Sequence, residues 1–137
     1  MDKIVLSGFA DEISSSLDRQ IQVLKKLGIS HMEIRGVEKK GIDTYTTEEV
    51  KEIKGKLDDQ GIAISSLASP IGKINIKDDF TPHLEHFKHV AELAHVLNTR
   101  YIRMFSFFMP EGEEPDGYKE TVFEQLDQLI RVGKEQD

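Results

Sequence analysis

Hydrophobic and polar positions along this chain alternate between a strand rhythm and a helix rhythm. Lys3–Phe9 is a β-branched apolar run with the character of a strand. A serine cluster at 14–16 then offers N-caps, and Leu17, Ile21, Leu24 and Leu27 recur at helical spacing. Gly28 stands where a helix C-cap belongs. The next run, Ile29–Gly36, predicts a strand whose side chains alternate between two faces. Met32 and Ile34 make one face oily, whereas His31, Glu33 and Arg35 make the other ionisable. In a strand packed on both sides, such charges must be paired or used.

The same two rhythms repeat to the end of the sequence. Thr46–Glu49 has the capping-box arrangement, with Val50, Ile53 and Leu57 as the buried stripe, Gly55 as a weak point inside and Gly61 as the stop. Ile62–Leu67 is a third strand, and it runs into Ala68–Lys73, a loop shaped by Pro70 and Gly72. Thr81 and Pro82 open a helix whose apolar face is Leu84, Phe87, Ala91 and Ala94, ending near Asn98. Tyr101–Phe107 is the fourth strand, Glu111–Gly117 an acidic loop, and Val122, Leu126 and Leu129 face inward from a last helix.

Four consecutive βα units in an α/β chain predict parallel strands joined by crossovers. Repeated units of this kind make an open doubly wound sheet or a (β/α)₈ barrel, and a barrel needs roughly 250 residues. With 137 residues the chain is one domain, spanning 1–137, and half a barrel in length. A flavodoxin-like sheet would place the first strand inside, whereas a half-barrel keeps the strands in sequential order, so strand adjacency decides between them.

Composition narrows the partners. The 25 acidic against 18 basic residues give a net charge of −7, which argues against nucleic acid or an anionic membrane as the main partner. A small basic pocket for an anion remains compatible with that balance. The absence of cysteine removes disulfides, thiolate metal sites and cysteine nucleophiles, and fits a reducing compartment. The sequence shows no apolar segment long enough for a signal peptide or membrane span, so a cytoplasmic location is the expectation.

Four stretches, Gly8–Ile13 (GFADEI), Glu33–Arg35 (EIR), Ser69–Lys73 (SPIGK) and Tyr101–Phe107 (YIRMFSF), fall in order at four predicted strand ends. Together they resemble the sugar phosphate isomerase/epimerase family of xylose-isomerase-like TIM barrels. The resemblance implies the N-terminal half of such a barrel, and an activity that isomerises, epimerises or dehydrates sugars, inositol derivatives or their phosphates. It also implies a divalent metal for the complete barrel, held by carboxylates and a histidine from the fifth strand onward. The sequence ends before that strand, so no metal ligand carries over. The expectation is a truncated member that binds no metal by itself and is inactive alone.

In a barrel, the residues alternating with helix-facing Met32 and Ile34 point into the lumen, which puts Glu33 and Arg35 near the catalytic mouth, and Arg103 follows by the same logic. These are the expected substrate-binding residues, together with Ser69 and Lys73 on the third βα loop. There Gly72 would let backbone approach a ligand and Lys73 offers a point charge for a phosphate. The working expectation is a buried pair between Glu33 and Arg103 or Arg35; such charges can equally do no more than satisfy one another. No residue is singled out as catalytic. Phe9, Asp11, Glu12 and His83 are further pocket candidates, although acids beside a helix start are common for dipole reasons alone.

Of the five histidines, 83, 86, 89 and 95 share one helix, but on its wheel His83 falls in the apolar arc, His86 at its edge, and the others on the polar side. They do not converge on a metal site. His31 lies at the start of its strand, on the wrong face for chemistry, and the acidic Glu111–Asp116 run reads as a solvated loop, with a lid over the mouth as the alternative. The leading expectation is therefore an isomerase or epimerase of a small carbohydrate, by metal-assisted proton transfer next to a carbonyl. The alternative is a non-catalytic half-barrel that binds a small anion or forms a homodimer through its exposed strand edges.

Overall fold

The parallel sheet forms where the alternation predicts it. The computed structural model describes residues 3–136. Strand β1 (His31–Ile34) pairs in parallel with β4 (Ala63–Ala68), and β4 with β5 (Ile102–Arg103). The order β1-β4-β5 is sequential, with an added parallel bridge from Phe9 to Glu33 on the outer side of β1. That adjacency excludes the flavodoxin-like arrangement and gives four βα units in barrel order.

Four helices cover one face of this sheet: α1 (Leu17–Lys26), α2 (Thr47–Asp59), α3 (Phe80–Val96) and α4 (Lys119–Glu135). Each of the first three starts on a side-chain cap. Ser16 accepts from the Arg19 amide, Thr46 and Glu49 form the reciprocal capping box, and Asp79 accepts from the Thr81 amide. Met32, Ile34 and Leu67 are wholly buried against Val50, Leu57, Val90, Leu93 and Leu97. The opposite face of the sheet has no helical cover, and its side chains form the lumenal surface.

Three elements differ from the sequence-based expectation. Residues 3–8 form no regular strand, and this segment joins the sheet only at Phe9, leaving Ile4, Val5 and Leu6 exposed. A segment with one neighbour and no covering layer lacks the packing that makes a strand regular. It is one of the two edges, with that of the fourth strand, at which self-association is expected. The fourth strand is shorter than 101–107, because beyond Arg103 its amides turn to the preceding loop: Phe105 donates to Ile71, Phe107 to Gly72 and Phe108 to Ile74. Finally, β2 (Gly36–Val37) and β3 (Lys40–Gly41) make a small hairpin through Glu38 and Lys39, both at positive φ. Its two-residue turn lacks the Asn-Gly type signal that would reveal it in sequence. Among the described residues no helix is long and apolar enough to cross a membrane.

Candidate functional site

The C-terminal ends of the parallel strands gather the residues singled out by sequence. Register sets their levels: Glu33 lies opposite Ser66, and Ala68 opposite Arg103. Because Met32 and Ile34 are spent on the helical side, Glu33 and Arg35 face the lumen, two residues apart on one face. An irregularity between Met32 and Glu33 inserts Ser65, whose hydroxyl meets the Met32 carbonyl and lies 2.6 Å from the Ser7 hydroxyl.

The charges do not pair as expected. Arg35 turns back to the turn after the first segment, donating from Nε to Asp11 Oδ2 (2.7 Å), and from Nη2 to Asp11 Oδ1 (2.9 Å) and Glu12 Oε1 (2.7 Å). These bonds, Asp11 first and Glu12 second, raise the pKa of the guanidinium further. Asp11 and Glu12 are therefore the fork that holds Arg35, a role beyond serving a helix dipole. Glu33 forms no ion pair among the described residues, and Arg103 instead donates from Nη1 to the Ser69 carbonyl at 3.0 Å. A bidentate carboxylate across the strand end outcompetes a monodentate one along the same face, which alternation alone cannot foresee.

Two phenylalanine rings link the cations into a row. The Arg35 guanidinium stands 4.4 Å from the Phe9 centroid, and that of Arg103 5.8 Å from Phe9 and 4.6 Å from Phe105. Lys73 Nζ lies 4.5 Å from the same Phe105 ring. Each contact is a favourable cation–π placement. Sequence reasoning missed Phe105; its place two residues beyond Arg103, on the same face of a continuing strand, was the available signal.

The loop after β4 is held from both sides. Ser69 is buried, its hydroxyl donating to the Arg103 carbonyl (2.7 Å) and accepting from the Ile71 amide (3.3 Å), so it acts on any ligand through Arg103. Gly72 does not open backbone to a ligand. Its amide donates to His83 Nε2 at 2.8 Å, and its α-carbon presses against the Phe105 carbonyl. Phe80 and Phe107 continue the packing around His83. Further along, Lys77 bonds Glu113 at 2.6 Å, and Glu113 also takes the Tyr118 hydroxyl, tying this loop to the acidic one.

His83 is the buried titratable group of the site. Its Nε2 accepts, so the proton resides on Nδ1. Burial lowers its pKa, and nearby His86, itself 3.0 Å from Asp43, lowers it further. The native state thus binds fewer protons than the unfolded chain, whose histidine titrates near 6.5. The stabilisation is fully present above that value and is lost as pH falls from there through the lower native pKa. Thermal stability is expected to decline between pH 7 and 5 more steeply in the native chain than in His83→Gln, which keeps an acceptor but cannot titrate. Equal slopes in parallel melts would refute the assignment.

His89 reaches the Tyr45 carbonyl (2.8 Å) and His31 the Ser30 hydroxyl (2.9 Å), so the histidines serve separate local contacts. Among the described residues no group of three or more His, Cys, Asp or Glu side chains could hold a metal ion, and both Asp11 oxygens are engaged by Arg35. The donor set present here does not fit a divalent ion. A wide depression of about 1010 Å³ between α1 and α2 is lined by Arg19, Lys25, Lys56 and Asp59 on the helical layer, away from the strand ends.

A family model described as xylose isomerase-like TIM barrel matches residues 21–137. Among solved structures, the probable 3-DHS dehydratase of Bacillus anthracis is 15% identical, with 97% of this chain aligned to 49% of that one at a TM-score of 0.75. A sugar phosphate isomerase/epimerase from Parabacteroides distasonis is 19% identical, over 99% and 49% of the two chains, at 0.68. A xylose isomerase-like TIM barrel protein from Mycobacterium smegmatis, in complex with magnesium, is 14% identical, over 96% and 52%, at 0.66. The chain spans about half the length of these structures, and at such identities the likeness establishes the fold. No curated protein matches the chain in sequence.

Proposed function

This chain belongs to the xylose isomerase-like TIM barrel family, and from that premise we propose that it forms the carbohydrate-orienting half of a sugar or polyol isomerase or epimerase site. The observation that carries the reading is the row at the strand ends: Glu33, with no ion pair among the described residues, bridged to Phe9, which in turn meets Arg35 and Arg103, with Lys73 following over Phe105, on the uncovered face of a parallel sheet. In this architecture chemistry resides at that end of the strands.

The residues divide by what they have left to offer. Arg35 is ion-paired with Asp11 and Glu12, so it stiffens the mouth and lends Phe9 a fixed position. Glu33 has free acceptor capacity for substrate hydroxyls, which suits a polyol better than an apolar ligand. Proton transfer next to a carbonyl needs a base and a group that stabilises the developing oxyanion. A divalent ion supplies the second in the metal-assisted form of this reaction, and its ligands have to come from outside the residues described here. Binding and orientation are the tasks assigned to this half, and the 137-residue chain alone is expected to bind without turnover.

Titration of the protein with a neutral ketose such as D-fructose, followed by NMR, tests this directly. Shifts are expected at Phe9, Glu33 and Arg103, and Glu33→Gln should weaken binding about tenfold, the order of one hydrogen bond to a charged group. Shifts confined to the helical layer, or binding untouched by Glu33→Gln, would defeat the proposal. Solvent deuterium appearing next to the ketose carbonyl in the presence of this chain alone would overturn the division of labour.

A further inference from the structure

We propose that the loop after β4 and the segment after β5 form a flap over the strand ends that a proton opens, with neutral His83 as the pin that keeps it shut. The inference goes beyond the carbohydrate reading and does not depend on what the mouth binds.

Three observations carry it. The first is the pin. Buried His83 accepts the Gly72 amide at Nε2, 2.8 Å away, and so fastens this loop to α3. A proton on that nitrogen turns the acceptor into a donor and sets two N–H groups against each other. The second is what hangs on the pin. The Gly72 carbonyl accepts the Phe107 amide (3.0 Å), the Ile71 carbonyl that of Phe105 (2.7 Å) and the Ile74 carbonyl that of Phe108 (2.8 Å), so the two stretches lie zipped together. Ile71 and Ile76 are buried, whereas between them Lys73 is exposed and Ile74 and Asn75 are half-buried. The strip between these anchors can lift without opening the core.

The third is strain. Phe107 has φ +77°, a conformation that costs a bulky residue free energy and persists only where its surroundings impose it. Those surroundings are the bond to the Gly72 carbonyl and the Phe80 ring, edge-on at 6.1 Å between centroids. When the zipper parts, Phe107 is free to return to negative φ. Stored strain on one side and a bond that a proton removes on the other make a two-state element. The flap carries Lys73 and Phe105, so its release rearranges the mouth.

Few charges face the pin. His86, one turn further along α3, has its ring centroid 6.2 Å away and lies 3.0 Å from Asp43 of the second βα loop. The loop after β4 presents the Gly72 amide, with the Lys73 ammonium over Phe105, and the segment after β5 presents the uncharged Phe107. Lys77 and Glu113 tie the far end of the flap through an exposed ion pair, which holds it only weakly. Burial first, and His86 second, keep the closed imidazole below its ordinary pKa of 6.5, and release into water restores that value. The open form therefore binds the proton more tightly, and opening is favoured as pH falls below about 6.5.

Native-state hydrogen exchange of the full chain, read by NMR from about pH 7.5 to 5 and corrected for intrinsic exchange, tests this. The Gly72 and Phe107 amides should lose protection by about tenfold per pH unit below 6.5, one proton per opening, with little dependence on urea. The core amides of Leu67 and Leu97 should stay better protected and follow global unfolding. His83→Gln, which accepts but does not titrate, should remove the pH dependence at Gly72. Should that variant not fold, the ring nitrogens of His83 in the native chain decide, since their titration should track the loss of protection at Gly72. Flap amides that exchange only in step with Leu67 and Leu97, an unchanged pH dependence in His83→Gln, or a titration of His83 that leaves Gly72 protected would overturn the proposal.

Discussion

Gly72→Ala is expected to destabilise the protein by roughly 3–5 kcal/mol and to weaken the proposed ketose binding at the strand ends. An alanine Cβ at this position would lie 1.8 Å from the Phe105 carbonyl oxygen, and 2.4 Å from its carbon, both backbone atoms that no rotamer change can move. The backbone there has φ +88°, a region that L side chains rarely adopt. Relief requires the loop to withdraw from the segment after β5, which breaks the Phe107-to-Gly72 and Phe105-to-Ile71 bonds and pulls the Gly72 amide from His83. The last of these leaves a buried imidazole nitrogen without its partner, an added cost of the unsatisfied kind. Urea unfolding measures the loss, and D-fructose titration of the surviving folded fraction measures the second effect. A variant within about 1 kcal/mol of the native chain that still binds D-fructose would show that this contact is not what sets the loop.

The position of that glycine illustrates what the sequence discloses and what it withholds. Helix starts were legible because capping is local: Thr46 and Glu49 lie three residues apart and satisfy each other's neighbourhoods within one turn. The strand face of Glu33 and Arg35 was legible because alternation is a property of neighbours. Partner choice is a tertiary quantity. Arg35 meets Asp11 across 24 positions, and nothing in either local pattern favours that pair over Glu33 with Arg103. The same holds for the loop at 69–76. Pro70 and Gly72 announce a turn, but the amides of 105–108 that meet it come from another unit, so a predicted seven-residue strand becomes a two-residue ladder followed by loop pairing.

The sheet's lumenal face shows the corresponding limit for function. Candidate residues Phe9, Glu33, Arg35, Lys73 and Arg103 were all placed at one end of the strands by the βα repeat, and they do gather there. Which of them are saturated and which are open depends on rotamers. That distinction, with Arg35 ion-paired and Arg103 held by a carbonyl alone among the described residues, is what turns a list of charged residues into a statement about the site.

Gln20→Leu should cost about 2–4 kcal/mol although it places a larger apolar surface in an apolar stripe. Gln20 sits one position before Ile21 on the inward face of α1 and is 1% exposed. Its side-chain amide donates to the Ser14 carbonyl at 2.8 Å and to the Gly36 carbonyl at 3.1 Å. One carbonyl belongs to the loop that follows Asp11 and Glu12, the other to the residue after Arg35, so a single side chain fixes the spacing of the ion-paired groups. Leucine fills the volume but leaves two part-buried carbonyls without this donor, each carrying a desolvation cost. Helical periodicity hides the residue, since a glutamine at that spacing reads as a polar interruption of the Leu17–Ile21–Leu24 stripe. Two measurements separate a local bracing role from mere core packing. Urea unfolding should show the full loss for Gln20→Leu and within about 0.5 kcal/mol of native for Gln22→Ala, which is exposed on the same helix. The Arg35 Nε resonance should move in the first variant and stay fixed in the second, because only the first loosens the register between the turn that carries Asp11 and the end of β1. A stable Gln20→Leu protein with an unmoved Arg35 signal would assign the spacing to the Asp11–Arg35 fork itself.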